Sequence, residues 1–292
     1  MKKILFFLFF TTLLFSEVDI SLSHANIKNG TTFAVIFQSD KNMSQAPNVI
    51  FNNKTYQMFT INGNIKKYEA FIPVEYFHKK QKETVEVRYF ENGLLHKNHL
   101  SLNIVDGKYK QNEIIKVKKG KVTLSDKNKK RTAKEYEEVF KKVYSVVSLY
   151  DLTNNSLFAN PINSKITSDF GTARIYNGVA RNYHSGTDFR AKVGENIKAP
   201  NNGKIVLVMD RFYLGNVIYI DHGHGAYSYF AHLSRSLVKE GDFVKKGQLI
   251  AKSGKTGRIT GPHLHYAMRL HNITVDPLQY TSLYNKILKK YH

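Results

Sequence analysis

Residues 261–266 read Gly-Pro-His-Leu-His-Tyr, and this stretch indicates both the fold and the chemistry of the C-terminal half. Side chains two residues apart on a β-strand point to the same face, about 6.6–6.8 Å apart along the strand. His263 and His265 can therefore enter one cleft, where one imidazole ligates a metal while the other faces a substrate. Short strands and frequent glycines predict an antiparallel sheet with long loops over residues 151–292.

Two further histidine groups precede this stretch. Residues 183–188 read Tyr-His-Ser-Gly-Thr-Asp, and residues 229–234 read Tyr-Phe-Ala-His-Leu-Ser. His184 and Asp188 supply nitrogen and oxygen donors, and Gly186 allows the chain to bend between them. Two histidines and one carboxylate leave an open position on a tetrahedral zinc ion, the pattern of a catalytic zinc site. Such a metal lowers the pKa of its bound water to about 7 and polarises a scissile carbonyl.

The composition excludes several other kinds of site. The chain has 292 residues and no cysteine, which excludes disulfides, cysteine nucleophiles and thiolate metal sites. It also lacks a His-Glu-x-x-His stretch, a Gly-x-Ser-x-Gly elbow and a phosphate-binding loop. A zinc peptidase built on a helix is therefore excluded, and any metal site must use histidine and carboxylate ligands.

The N-terminus has the layout of a secretory signal peptide, residues 1–16. Two lysines precede a short apolar run, and Ser16 is a small residue before the cleavage point. The run is shorter than the roughly 20 residues that a membrane span needs, and no later segment is apolar enough to cross a bilayer. We expect cleavage and export, to the periplasm rather than to the medium or the wall. An uncleaved membrane anchor is the alternative.

The rest of the chain predicts a mainly β protein with a helical connector. Residues 17–106 contain short runs rich in β-branched and aromatic residues between turns, which predict a small β-sandwich. Residues 107–150 form a lysine-rich connector. Within this connector, the pattern of residues 132–150 predicts a helix, because Thr132 can cap the helix N-terminus and Glu135, three residues later, completes a capping box.

Of the formal charge of +21, +18 lies beyond residue 107. Residues 17–107 carry 10 basic and 9 acidic side chains, whereas residues 108–142 carry 13 and 5 and residues 143–292 carry 19 and 9. This excess favours a polyanionic partner, although a solvated face is the alternative for the lysine-rich segment. Because the export signal disfavours nucleic acid, we expect an anionic wall polymer, and an attraction that weakens with salt.

Together, the three histidine groups closely resemble the lysostaphin/LytM-type zinc endopeptidases of bacterial cell walls. The resemblance runs from about residue 162 to residue 278 and includes the segments 166–171, 238–248 and 254–257. It implies a zinc-dependent peptidase that hydrolyses peptide cross-links or stems of peptidoglycan, with the balance of endopeptidase and carboxypeptidase activity left open. The alternative is a catalytically inactive LytM-type domain that binds the wall or activates a cell-wall amidase.

The resemblance also implies roles for individual residues. The ligands of one zinc ion are His184, Asp188 and His265. His232 and His263 are the non-ligand pair, of which one accepts a proton from the metal-bound water and the other donates to the developing oxyanion; the order is left open. Weaker candidates for substrate contacts, for which packing is the alternative, are Arg174, Tyr183 and Tyr229.

The preceding part of the chain is not covered by the resemblance. We expect residues 17–150 to position or regulate the enzyme, since a β domain and a basic helix placed before a catalytic domain can cover or steer its cleft. One local departure from the family pattern is Ala267, which follows Tyr266 where many members have glutamate. That position is not a ligand.

Overall fold

A computed structural model describes residues 18–291, and the predicted signal peptide, residues 1–16, lies outside the described part. Strands make up 46% of the structure and helices 14%, which confirms the mainly β prediction. No helix in residues 18–291 is both long enough and apolar enough to cross a membrane.

Two β-sheets form the N-terminal part. Their strands are β1 Val18–Leu22, β2 Asn26–Lys28, β3 Thr32–Ser39, β4 Asn48–Phe51, β5 Lys54–Gln57, β6 Phe59–Ile61, β7 Asn64–Pro73, β8 Lys82–Glu91 and β9 Leu94–Val105. The first sheet has the order β1-β3-β7-β6 and the second the order β2-β9-β8-β4-β5. Alternate residues of β3 and β8, such as Phe33, Val35 and Val87, are fully buried in one shared core.

The connector, residues 107–150, consists of one short strand, one α-helix and two short helical turns. It contains β10 Glu113–Ile115, a 3₁₀ turn at Lys119–Lys121, helix α1 Asp126–Val139 and a π-helical turn at Phe140–Tyr144. Strand β10 leaves the N-terminal part and pairs in parallel with a strand of the C-terminal part. The connector therefore joins a small sheet of the C-terminal part through β10.

The predicted helix start at Thr132 is wrong. The helix begins six residues earlier, because the Ser125 hydroxyl accepts a hydrogen bond of 3.4 Å from the Asn128 backbone N–H. The Thr132 hydroxyl lies inside the helix and donates to the Lys129 carbonyl instead. The helical conformation ends at Tyr144 rather than at residue 150.

The C-terminal part is built on a large antiparallel sheet. Its strands are β11 Ile166–Ser168, β12 Ala173–Tyr176, β13 Ala180–Tyr183, β14 Thr187–Arg190, β15 Asn196–Lys198, β16 Gly203–Arg211, β17 Gly215–Asp221, β18 Ala226–Leu233, β19 Arg235–Ser236, β20 Phe243–Val244, β21 Leu249–Lys252, β22 His263–Leu270 and β23 Ile273–Val275, and helix α2 Pro277–Tyr291 follows. The main sheet has the order β11-β14-β22-β18-β17-β16-β20, with β23 beside β22, and smaller sheets are β10-β12-β13 and β15-β21-β19.

The main sheet is covered on both faces. One face packs against α2 and against side chains of the N-terminal part, including Ile36 and Phe71. The other face packs against Val139 and Val143 of the connector. Because His265 alternates with Leu264 along β22, His263 and His265 lie on the same face as the connector.

Candidate active site

Strand pairing brings the predicted ligands together at the centre of the main sheet. Asp188 on β14 lies directly opposite His265 on β22, and Ala231 on β18 lies opposite His265 from the other side. His184 precedes β14 and reaches the same point. All three candidate ligands are buried, with exposed fractions of 2–4%.

The three side chains form a tight triangle of donor atoms. His184 Nε2 lies 3.0 Å from Asp188 Oδ1 and 3.0 Å from His265 Nδ1, and His265 Nδ1 lies 2.9 Å from Asp188 Oδ1. Although burial alone would raise the pKa of Asp188, its interactions with His184 and His265 hold this pKa well below the usual range. The carboxyl group is therefore available as an anionic ligand.

Hydrogen bonding fixes which atom of His184 faces the triangle. Its Nδ1–H donates to the Asp169 carbonyl over 2.9 Å, so Nε2 carries the lone pair. A backbone partner of this kind orients a ligating imidazole. The sequence did not identify this partner.

The donor set fits a metal ion. A lone pair of His184 converges with an imidazole nitrogen and a carboxylate oxygen at about hydrogen-bond distance, and a cation at the centre would relieve the repulsion between these acceptors. The His265 Nε2 atom, on the far side of its ring, is buried without a hydrogen-bond partner among residues 18–291. This leaves Nδ1 as the atom that His265 offers to the centre. Two nitrogens and one oxygen match the ligand types of catalytic zinc sites.

Two further histidines face the same centre. His263 lies two residues before His265 on β22, and its Nε2 is 3.5 Å from Asp188 Oδ1. The ring centroids of His232 and His263 are 4.9 Å apart. Each ring places Nδ1 against a backbone carbonyl, that of Thr256 for His232 and that of Gly261 for His263, at 2.8 and 2.9 Å. The Nε2 atom of each ring therefore lies on the side away from its carbonyl partner.

His232 enters the cleft through an irregular backbone. Its φ of +61° lies in the left-handed region, which L-residues rarely adopt. The pairing of β17 with β18 shifts register between Asn216 and Ile218, so β18 carries an extra residue opposite them. Strict alternation would turn His232 away from the face that Ala231 lines. The bulge instead turns the His232 side chain toward the face that Ala231 lines. Burial, together with the neighbouring His263, lowers the pKa of His232 to about 3.

Comparison with known proteins agrees with this geometry. Residues 182–277 match the model of peptidase family M23. The chain contains a peptidase family M23 domain. The expected resemblance to lysostaphin/LytM-type metallopeptidases is therefore confirmed.

Curated relatives and a solved structure extend the comparison. The chain is 39% identical over 116 residues to the peptidoglycan DD-endopeptidase ShyB of Vibrio cholerae and 38% identical over 122 residues to ShyA of the same organism. These matches cover 39% and 41% of this chain but only 27% and 28% of the relatives. The structure of a putative peptidase M23 from Pseudomonas aeruginosa is 27% identical, with a TM-score of 0.65, over 87% of this chain and 95% of that one. The structural likeness therefore extends beyond the M23 domain to the N-terminal sheets and the connector.

Arg174 of the M23 domain contacts a candidate ligand. Its Nη2 donates to Asp188 Oδ2 over 2.9 Å and to Ser168 Oγ over 2.8 Å, and its Nε donates to Glu113 of β10 over 2.9 Å. The side chain is 14% exposed. The structure thus places Arg174 behind Asp188, and its predicted contact with substrate stays a prediction.

Of the other two weak candidates, Tyr183 borders the M23 cleft and Tyr229 is buried beside it. The Tyr183 ring stacks on Tyr76 of the N-terminal part, with centroids 3.9 Å apart. The Tyr229 ring is buried, with its centroid 5.8 Å from that of His265 and its hydroxyl 3.4 Å from Ser185 Oγ. Their contacts with substrate also stay predictions.

Two cavities flank His232 in the M23 domain. One, of about 100 Å³, is bordered by the candidate ligands His184 and His265 and by Tyr183. The other, of about 210 Å³, is bordered by His263 and by Glu113 of the connector. Arg258 borders both.

Sequence reasoning missed Glu113 and Arg258. Neither belongs to a histidine group, and each reaches the site through a long-range contact. The only available signal was their position, Glu113 in the connector and Arg258 in the segment just before the His-x-His pair.

Proposed function

We propose that this chain is an exported zinc-dependent peptidase that hydrolyses peptide cross-links or stems of bacterial peptidoglycan. The observation that carries the proposal is the convergence of His184 Nε2, Asp188 Oδ1 and His265 Nδ1 within 3.0 Å of one another, beside two further histidines. The relatives named as peptidoglycan DD-endopeptidases support the substrate. The apolar N-terminal run supports export.

In this proposal the triangle of His184, Asp188 and His265 holds one zinc ion. When bound, zinc supplies Lewis acidity, which acidifies water and polarises a carbonyl. The Asp169 carbonyl keeps the lone pair of His184 directed at the centre. Arg174 binds the second oxygen of Asp188 and so directs Oδ1 at the centre.

His232 and His263 move protons in this mechanism. Their Nδ1–H groups are held by backbone carbonyls, so each presents Nε2 to the substrate. One Nε2 accepts a proton from the attacking water, and the other, once protonated, donates to the oxyanion or the leaving nitrogen. Arg174 and Tyr183 border the cleft and shape it around the peptide, and the buried Tyr229 packs beside His265.

The remaining segments assist the peptidase. We propose that residues 1–16 direct export, that residues 17–106 and 107–150 form a β domain and a basic connector, and that residues 151–292 form the catalytic domain. Glu113 and Tyr76 contact residues of the cleft, which supports a positioning role for the segments before residue 151. The positive charge beyond residue 107 favours binding to an anionic wall.

Digestion of purified peptidoglycan tests the proposal. The mature protein loaded with zinc should release new muropeptides, identified by mass spectrometry, and chelation should stop their release. His265→Ala should lose both zinc, measured by elemental analysis, and activity. His263→Ala should keep zinc and lose activity, and His99→Ala, at an exposed histidine, should keep both.

Two outcomes would overturn the proposal. Unchanged muropeptides with zinc-loaded wild-type protein would favour a domain that binds the wall without cutting it. Full activity of His265→Ala would show that the triangle is not the catalytic centre.

A further inference from the structure

A cation that the mechanism above leaves without a role lies beside the catalytic centre. The Arg258 guanidinium lies 3.9 Å from the ring centroid of Tyr176 and 4.5 Å from that of Tyr213. Tyr176 belongs to β12 and Tyr213 to the turn between β16 and β17. The Arg258 backbone N–H also donates to the Tyr213 carbonyl over 2.8 Å. Arg258 is thus held in place from two separate elements.

Arg258 borders the cleft that contains the candidate ligands. It borders both cavities beside His232, and these cavities also contain the ligand and proton-transfer histidines. A peptide that crosses from one cavity to the other over the metal centre therefore meets this guanidinium.

The charge of Arg258 is unpaired, unlike that of the other arginine in the cleft. Arg174 is neutralised by Asp188 and Glu113. Within residues 18–291, by contrast, Arg258 has no carboxylate oxygen within 4.0 Å and its side chain makes no hydrogen bond. Rings that contact a guanidinium favour its charge and leave its in-plane N–H donors for another partner. The described chain therefore presents a fixed cation with free donors to the substrate.

We infer that Arg258 binds the free α-carboxylate of the amino acid on the leaving side of the scissile amide. This inference rests on the proposed peptidase function and names its substrate class. An α-carboxylate lies on the carbon next to the scissile nitrogen, so a peptide positioned at the metal centre places it close to His232 and its neighbours. A guanidinium binds a carboxylate through two parallel hydrogen bonds. The preferred substrates are therefore amides in which the residue on the leaving side carries a free α-carboxylate. Such a residue can be the C-terminal residue of a stem or a residue joined through a branched cross-link.

A pair of peptides that differ in one group tests this inference. Both are stem peptides with the same scissile amide, and the leaving residue bears either the α-carboxylate or an α-carboxamide. Wild-type kcat/KM should be about 10- to 100-fold higher for the acid, the range expected for a charged hydrogen-bonded pair. Arg258→Gln should lower kcat/KM for the acid alone and bring the ratio close to one.

Two more variants separate charge, geometry and folding. Arg258→Lys should keep part of the preference, because it keeps the charge but loses the paired geometry. Arg235→Gln removes an exposed arginine of the same domain and should keep the full preference. Thermal unfolding of each variant checks that the fold is intact.

Binding gives a readout that does not depend on turnover. Calorimetry with a His263→Ala background should show tighter binding of the acid than of the amide, and adding Arg258→Gln should abolish the difference. Equal binding of the two peptides, or an equal loss of rate for both in Arg258→Gln, would overturn the inference while leaving peptidoglycan digestion intact. Failure of the proposed function would instead appear as no digestion of whole peptidoglycan by the wild-type protein.

Discussion

Replacing Gly186 with alanine should disrupt the candidate metal site, although Gly186 is not one of its proposed ligands. A Cβ at this position would lie 2.5 Å from the Tyr266 carbonyl oxygen, 2.8 Å from the Ala267 Cβ and 2.8 Å from the His265 Cε1. Two of these atoms belong to backbone or to a short side chain, and the third belongs to a candidate ligand. None can move away without shifting β22.

The size of the effect follows from these distances. Contacts of ordinary van der Waals length begin near 3.4 Å, so β14 and β22 must separate by several tenths of an ångström. Overpacking of this kind costs about 1–3 kcal/mol, which corresponds to a fall in Tm of roughly 2–12 °C for a protein of this size. A misplacement that approaches 1 Å at the catalytic atoms lowers the rate about 100-fold.

Three measurements on Gly186→Ala test the reasoning. Circular dichroism gives Tm, competition with a chromophoric chelator gives zinc affinity, and muropeptide release gives activity; all three should fall. The control is Gly120→Ala, because a Cβ there meets nothing within 4 Å. A Gly186→Ala protein with wild-type Tm and wild-type zinc affinity would refute the close packing of β14 on β22.

Three other predictions concern pH, salt and the connector. Burial raises the pKa of Glu69 to about 8, and the nearby charge of Asp151 adds to this shift. The contribution of the Glu69 carboxyl to stability is therefore complete below its unfolded pKa and is lost as pH rises through 8. Glu69→Gln should unfold at a higher temperature than wild type at pH 8.5 and at nearly the same temperature at pH 4.5, whereas Glu75→Gln, at an exposed side chain, should not show this difference. Sedimentation with intact peptidoglycan should show binding that weakens from 50 to 500 mM salt, roughly from a Debye length of 14 Å to one of 4 Å; insensitivity to salt would remove the electrostatic contribution. Ser125→Ala should lower the free energy of unfolding by about 1 kcal/mol in chemical denaturation, and a larger loss in Thr132→Ala would contradict the observed helix start.

The pH prediction depends on the junction between the N-terminal and C-terminal parts. The Glu69 Oε2 atom is buried there without a hydrogen-bond partner among the described residues. His224 and His271 border the same small cavity, and burial lowers the pKa of each to about 4. The contribution of these two histidines to stability is lost as pH falls below about 6.5, whereas the contribution of Glu69 is lost as pH rises. The substitution at Glu69 therefore removes only the loss of stability that develops as pH rises from the unfolded pKa of Glu69 to about 8.

The helix start shows why local patterns mislead. The sequence contains two hydroxyl residues able to cap, Ser125 and Thr132, and the second is followed by a glutamate at capping-box spacing. In the structure Glu135 pairs with Arg131 and accepts the Phe212 backbone N–H over 2.9 Å. A contact between distant segments therefore uses the side chain that a local capping box would need.

Gly186 illustrates the same limit within the site. The sequence explained it as a bend between His184 and Asp188. Its φ is not positive, so the backbone does not require glycine for its conformation. The requirement comes from β22, which packs so closely that no side chain fits.

The amino-acid sequence alone predicts the donor types and their local geometry. Alternation along one strand places His263 and His265 on the same face, and the absence of cysteine leaves only histidine and carboxylate ligands, because these properties depend on neighbouring residues alone. Long-range packing places Asp188 opposite His265, turns His232 into the cleft through a bulge and brings Arg258 against two tyrosine rings. These contacts join residues far apart in the chain, and their register depends on how whole strands pair and pack.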